Sequence, residues 1–138
     1  MISTKGRYAV RVIVDLSESN PNQYTSMKEI AVRQELSVKY LERIIPALTK
    51  AGLVEGAKGK TGGYKLSKSP KEITVGEILR LTEKDMAPVA CLSKRAVPCP
   101  RRQKCKTISM WESYQKLTNQ FFDNITIADL CLSNPKSM

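Results

Sequence analysis

Four cysteines carry most of the reactive chemistry of this chain of 138 residues, and no histidine accompanies them. Cys91, Cys99 and Cys105 are separated by seven and five residues, while Cys131 stands apart near the C-terminus. Without imidazole there is no Ser/His/Asp or Cys/His nucleophile, no histidine zinc ligand and no imidazole acid–base pair. Nothing else pairs a nucleophile with a base, so the chain is not expected to be an enzyme. The cysteine spacing lacks the paired Cys-x2-Cys knuckles and fourth ligand of a zinc ribbon. Iron–sulfur clusters, by contrast, accept thiolates on longer loops. From Lys94 to Lys106 the chain carries six Lys and Arg residues and no acid, which lowers thiolate pKa values and offsets the negative charge of a thiolate-ligated cluster. Ligation of a cluster or metal is therefore one reading of Cys91, Cys99 and Cys105. Three free thiols, or a basic loop that simply faces DNA, are the others.

Lys and Arg number 23 against 13 Asp and Glu, a formal charge of +10. Residues 1–90 hold 15 basic and 10 acidic side chains, and residues 111–138 hold two and three, so the unbalanced stretch between them is a separate feature. At 41% hydrophobic residues the chain has enough apolar material for one core, with roughly two-thirds of its unfolded surface buried. The longest early apolar run, Val12 to Val14, is closed by Asp15. No window approaches the roughly 20 residues of a membrane span. A cytoplasmic protein without membrane contact is expected, and in that compartment cysteines stay reduced.

The elements that must position these residues are mostly helical. Tyr8, Ala9, Val12, Ile13 and Leu16 recur at three- and four-residue spacing, predicting a first helix that ends before the polar turn 17–23. Ser26 and Glu29 form a capping-box pattern for a short second helix, ended by Glu35 and Leu36. Ser37 caps a third helix to about Lys50, with Leu41, Ile44, Ile45 and Leu48 inward and Gly52 closing it. Pro46 deletes a hydrogen bond to the Glu42 carbonyl and is expected to bend or shorten this helix. Residues 53–57 and 64–67 alternate apolar and polar around a glycine-rich tip with Lys58, Lys60 and Thr61, the pattern of a hairpin. Thr74 and Glu77 suggest a second capping box, with Ile73 and Ile78 as its hydrophobic staple, for a helix from Val75 to about Glu83. Met110, Tyr114, Leu117 and Phe121 then define one apolar face of a long helix from about Cys105 to Phe122, and a short helix follows Thr126.

Two short helices joined by a tight turn and followed by a hairpin with lysines at its tip is the order of a winged helix-turn-helix, whose second helix enters the major groove. That order gives Ser37, Lys39, Tyr40, Glu42 and Arg43 a role on the groove-facing half of the third helix. Arg can read guanine there, and Glu can accept from cytosine or reject the wrong base. Lys58, Lys60 and Thr61 would meet phosphates or the minor groove. A solvated helix face and an ordinary lysine loop is the plainer reading, against which the basic charge counts.

The segments 3–9 (STKGRYA), 36–42 (LSVKYLE), 51–54 (AGLV), 58–64 (KGKTGGY) and 73–78 (ITVGEI) together resemble the Rrf-two family of bacterial transcription regulators, the group that includes IscR, NsrR and CymR. The resemblance runs over nearly the whole chain. It implies a mostly α fold with a small β-hairpin wing, divided into a winged helix-turn-helix at 1–85, a cysteine loop at 86–106, and a dimerisation helix with a C-terminal helix at 107–138. It also implies a homodimer packed through the long helix on a roughly palindromic double-stranded DNA operator. Taken alone, that apolar stripe reads more readily as intrachain core; the resemblance reverses the preference. Glu42 matches the family position that takes part in operator discrimination, and Lys58 the basic residue of the wing.

Cys91, Cys99 and Cys105 align with the cysteines by which cluster-binding members hold a two-iron or four-iron cluster, one that aerobic preparation can remove. The IscR-type histidine three residues beyond the last cysteine is replaced by Ile108. NsrR-type proteins take a carboxylate from the partner's first helix, where this chain offers Arg7 and Tyr8, with Asp15 further on; no fourth ligand is assigned. Cys131 is expected to be structural. The leading expectation is thus a dimeric regulator that senses iron–sulfur status, redox stress or nitric oxide through a cluster, with no small-molecule substrate. A cluster-free regulator using a thiol switch or a cysteine-metabolism partner enzyme is the first alternative. A small iron–sulfur electron-transfer protein is the second, and the winged-helix motifs argue against it.

Overall fold

A computed structural model describes residues 1–132. Six α-helices and one hairpin follow in order among the described residues: α1 (Thr4–Ser17), α2 (Met27–Gln34), α3 (Val38–Lys50), β1 (Val54–Ala57), β2 (Gly63–Leu66), α4 (Val75–Thr82), α5 (Ile108–Asp123) and α6 (Ile127–Leu132). No described helix is long and apolar enough to cross a membrane.

The capping signals act as the sequence suggests. Ser3, Ser26, Ser37 and Thr74 each accept a hydrogen bond from the backbone N–H three residues on, and at Ser26 the Glu29 side chain completes the box. At Thr74 the box is one-armed, because the Glu77 carboxylate lies 3.7 Å from Lys68 Nζ. Ile73 and Ile78 are both fully buried, as a staple requires. A reciprocal pair at Thr126 and Asp129 opens α6.

One apolar core fills the space between α1, α2, α3, the hairpin, α4 and α6. Val12, Ile13, Ile30, Leu41, Ile44, Leu48, Leu53, Ile78 and Ile127 are all fully buried in it. Each such side chain contributes on the order of 1.5–3 kcal/mol when removed from water. That burial explains why Pro46 does not shorten α3, which runs through it to Lys50. Leu41, Ile44, Ile45 and Leu48 hold the helix from the inner side, while Pro46 is exposed. Pro46 thus removes one helix hydrogen bond without disturbing the buried side.

The strands pair antiparallel, Val54 opposite Leu66 through Ala57 opposite Gly63. Thr25 and Tyr64 exchange backbone hydrogen bonds at 2.8 Å in both directions, which ties the hairpin to the residue before the α2 cap. Gly63 permits this approach: its φ is +143°, and a Cβ there would run into the Thr25 carbonyl. The wing is thus fastened to the helix-turn-helix by backbone.

α5 begins at Ile108, three residues later than its apolar spacing suggested. Cys105 is extended (ψ 108°), and Thr107 supplies no side-chain cap, so nothing carries the helix back to the last cysteine of the loop.

Candidate DNA-binding face and cysteine loop

The N-terminal end of α3 is positioned by α1 and α2. Asp15 is only 5% exposed and receives Arg33 Nε at 3.0 Å, a second Arg33 nitrogen at 2.8 Å and Gln34 Nε2 at 3.0 Å. A buried carboxylate needs such partners to remain charged. The pairing raises the Arg33 pKa above its ordinary value, chiefly through the Asp15 hydrogen bond. It also ties Asp15 into the joint between α1 and α2. After Gln34 the chain turns through Glu35, whose φ of 55° is left-handed, and Ser37 Oγ then accepts the Tyr40 N–H at 3.0 Å to start α3.

This turn leaves Ser37, Lys39, Glu42 and Arg43 exposed on one end of α3. Tyr40 differs from them. It is half-buried, with its ring edge-on to Tyr8 at 5.3 Å between centroids, so it fixes α3 against α1. Lys58, Lys60 and Thr61 are all exposed at the tip of the wing. The wing's body is stiffened by Lys65, 3.3 Å from Glu55 and 4.8 Å from the Tyr24 ring centroid. The arrangement presents a capped helix end and a basic loop on a rigid frame, which suits insertion into a groove with phosphate contacts beside it.

The cysteine loop is built otherwise. Asp85 anchors its stem by accepting the Ala87 N–H at 2.8 Å and the Ser93 hydroxyl, and these bonds hold its pKa below the ordinary carboxylate value. Cys91 and Cys99 are exposed and Cys105 is half-buried. The Cys105 pKa is lowered, first by the Thr107 hydroxyl, 3.4 Å from its Sγ, then by backbone N–H groups opening α5 and by Arg101. The donor chemistry of the three thiols suits a thiolate-ligated cluster. Their placement does not: among the described residues no three Cys, Asp or Glu side chains are gathered closely enough to hold a metal ion. Cys131 lies apart, packed against the core with its Sγ 2.8 Å from Ser17 Oγ. α6 folds back onto α1, and this sets Cys131 against the core.

α5 connects the loop to the rest. Arg80 of α4 grips Asp123 through two hydrogen bonds of 2.7 and 2.8 Å, and Asp123 packs over Gly76, where a Cβ would collide with it. None of the α5 side chains is buried. Met110, Tyr114, Leu117 and Phe121 are 52, 55, 65 and 60% exposed, a continuous apolar stripe on one side of the helix.

Comparison with known proteins agrees with this arrangement. The family model named Rrf2, an iron-dependent transcriptional regulator, matches residues 2–133. The protein rrf2 of Nitratidesulfovibrio vulgaris is 36% identical over 129 residues, spanning 94% of this chain and 85% of that one. The solved structure of CymR (YrzC), the global cysteine regulator of B. subtilis, aligns with a TM-score of 0.77 at 34% identity over 95% of both chains. T. potens IscR aligns with the same TM-score at 36% identity, covering 100% of this chain and 91% of its own. The winged helix expected from the order of helices and hairpin is therefore the fold, and the chain belongs to the Rrf2 family of transcriptional regulators.

Proposed function

We propose that this chain acts as a homodimer that reads a palindromic DNA operator and changes its grip in response to the state of its cysteine loop. The exposed end of α3, carrying Lys39, Glu42 and Arg43 beside a basic wing tip, supports the DNA-reading role most directly. Arg43 and Lys39 donate to bases or phosphates, while Glu42 accepts from cytosine or repels an incorrect partner. Lys58, Lys60 and Thr61 contact the backbone and fix register. The unburied stripe of α5 supports the dimer, since four large apolar residues at this spacing find no cover within the described residues. A cytoplasmic location follows from the role.

For the loop, an iron–sulfur cluster held by Cys91, Cys99 and Cys105 is the reading favoured by three thiols on a basic, acid-free segment. Those thiolates would hold the cluster, which would supply iron centres that oxygen or nitric oxide can alter. A cluster-free thiol regulator is the second reading, favoured by the separation of the three thiols and the lowered pKa of Cys105. Anaerobic purification with an absorbance spectrum and iron and sulfide analysis separates the two. A visible band with matched iron and sulfide, lost in Cys99→Ala, supports the first. A colourless dimer that refuses reconstitution supports the second.

DNA reading is tested by selecting an operator from a random-sequence pool and measuring affinity on substituted sites. Glu42→Ala should relax choice at one base pair per half-site, by about 1–3 kcal/mol of lost discrimination. A uniform loss across all sequences would count against base readout.

A further inference from the structure

We infer that Arg11 is a positioning residue for operator recognition, fixing where α2 ends and hence how α3 is presented to the groove. The inference rests on the DNA-reading role proposed above for α3. Arg11 projects from the exposed side of α1 and reaches across to the last residue of α2. Its Nε donates to Gln34 Oε1 at 3.2 Å, and a terminal guanidinium nitrogen donates to the Gln34 backbone carbonyl. The same guanidinium lies 5.1 Å from the centroid of the Tyr8 ring, and that ring is the one packed edge-on against Tyr40 of α3. Gln34 is held from its other side as well, since its Nε2 donates to buried Asp15. A connected path thus runs from Asp15 through Gln34 and Arg11 to Tyr8 and Tyr40.

The position of this grip gives it leverage. The last carbonyls of a helix lack intrahelical donors and carry partial negative charge, so a cation seated there is favoured. Glu35 follows immediately, in its left-handed conformation, and Ser37 begins the cap of α3 two residues later. The angle between α2 and α3 is therefore set directly beyond the group that Arg11 holds. A planar guanidinium can grip the Gln34 side chain and carbonyl together, which a lysine ammonium cannot match in geometry. Because Arg11 is exposed, its removal should leave the fold standing and alter presentation instead.

The test measures binding of wild type, Arg11→Ala, Arg11→Lys, Gln34→Ala and the Arg11→Ala/Gln34→Ala double variant to the pool-selected operator and to scrambled DNA over a salt series, with melting recorded for each. Arg11→Ala should lose about tenfold in operator affinity, keep its affinity for scrambled DNA and keep its salt slope. Arg11→Lys should recover only part of that loss, and the double variant should lose no more than the weaker single one. Equal losses on both DNAs with a salt slope smaller by about one per chain would make Arg11 a direct phosphate contact and overturn the inference. Unchanged operator affinity would overturn it too. A wild-type protein that does not distinguish operator from scrambled DNA would instead sink the reading on which the inference rests.

Discussion

The helix-turn-helix body and the segment formed by the cysteine loop and α5 solve the same problem differently. In the body, α1 to α4 bury their apolar faces against one another, and buried Asp15 has all its partners within two helices. The side chains proposed to read DNA, Lys39, Glu42, Arg43, Lys58 and Lys60, stand out from that frame into solvent. α5 buries none of its side chains, and the loop before it exposes two of its three thiols. The body buries its apolar residues within one chain, whereas the second region leaves its apolar stripe and two thiols exposed, as expected if the proposed partner copy and loop chemistry complete it. That division suits a regulator, in which reading must be rigid and sensing must be able to change.

Truncation inside the body should break it outright. Ile44→Ala removes a fully buried side chain and should cost about 3–4 kcal/mol in urea unfolding, with operator binding lost as the fold fails. Leu117→Asp in the α5 stripe should do the opposite. The monomer should keep its helical circular dichroism, while the dimer weakens by about 2–3 kcal/mol in sedimentation and operator affinity falls with it. If the monomer also unfolds, the stripe belongs to an intrachain core and the contrast between the regions disappears.

Two smaller effects sharpen the comparison. Glu35→Gly relieves a left-handed residue in the turn before α3 and should raise body stability by up to about 1 kcal/mol without changing dimer affinity. Asp123→Asn loosens the joint between the regions. The Asp123 pKa lies below its ordinary value of 3.8 because Arg80 donates two hydrogen bonds to it. A carboxylate with a lowered pKa contributes stability that is fully present above the unfolded value and is lost as the pH falls through the folded one. The variant should therefore melt slightly below wild type at neutral pH, by about 0.5 kcal/mol since both partners are substantially exposed. That gap should close as the pH falls below 3.8.

Local signals made much of this legible in the sequence. Serine and threonine caps, the periodicity of α1 and α3, and the Ile73–Ile78 staple all act over a few residues, and all lie where the spacing put them. The Thr126–Asp129 box has the same readable spacing, with aspartate in place of the usual longer acid. Long-range pairings left no such mark. Asp15 with Arg33, Arg11 with Gln34, and Cys131 with Ser17 are joined only by the fold. α5 starts later than its apolar spacing suggests, because apolar periodicity cannot locate a helix end that carries no cap. The cysteines could be found by type and spacing, but whether a loop gathers them depends on its closed shape, which spacing does not encode.

Sedimentation-velocity titration of the protein on the selected palindromic operator and on an isolated half-site tests the central claim most directly. Two chains should bind the palindrome together, with the half-site bound at least about tenfold more weakly. One chain per site, with equal affinity for half-site and palindrome, would contradict a dimer that reads DNA through two α3 helices.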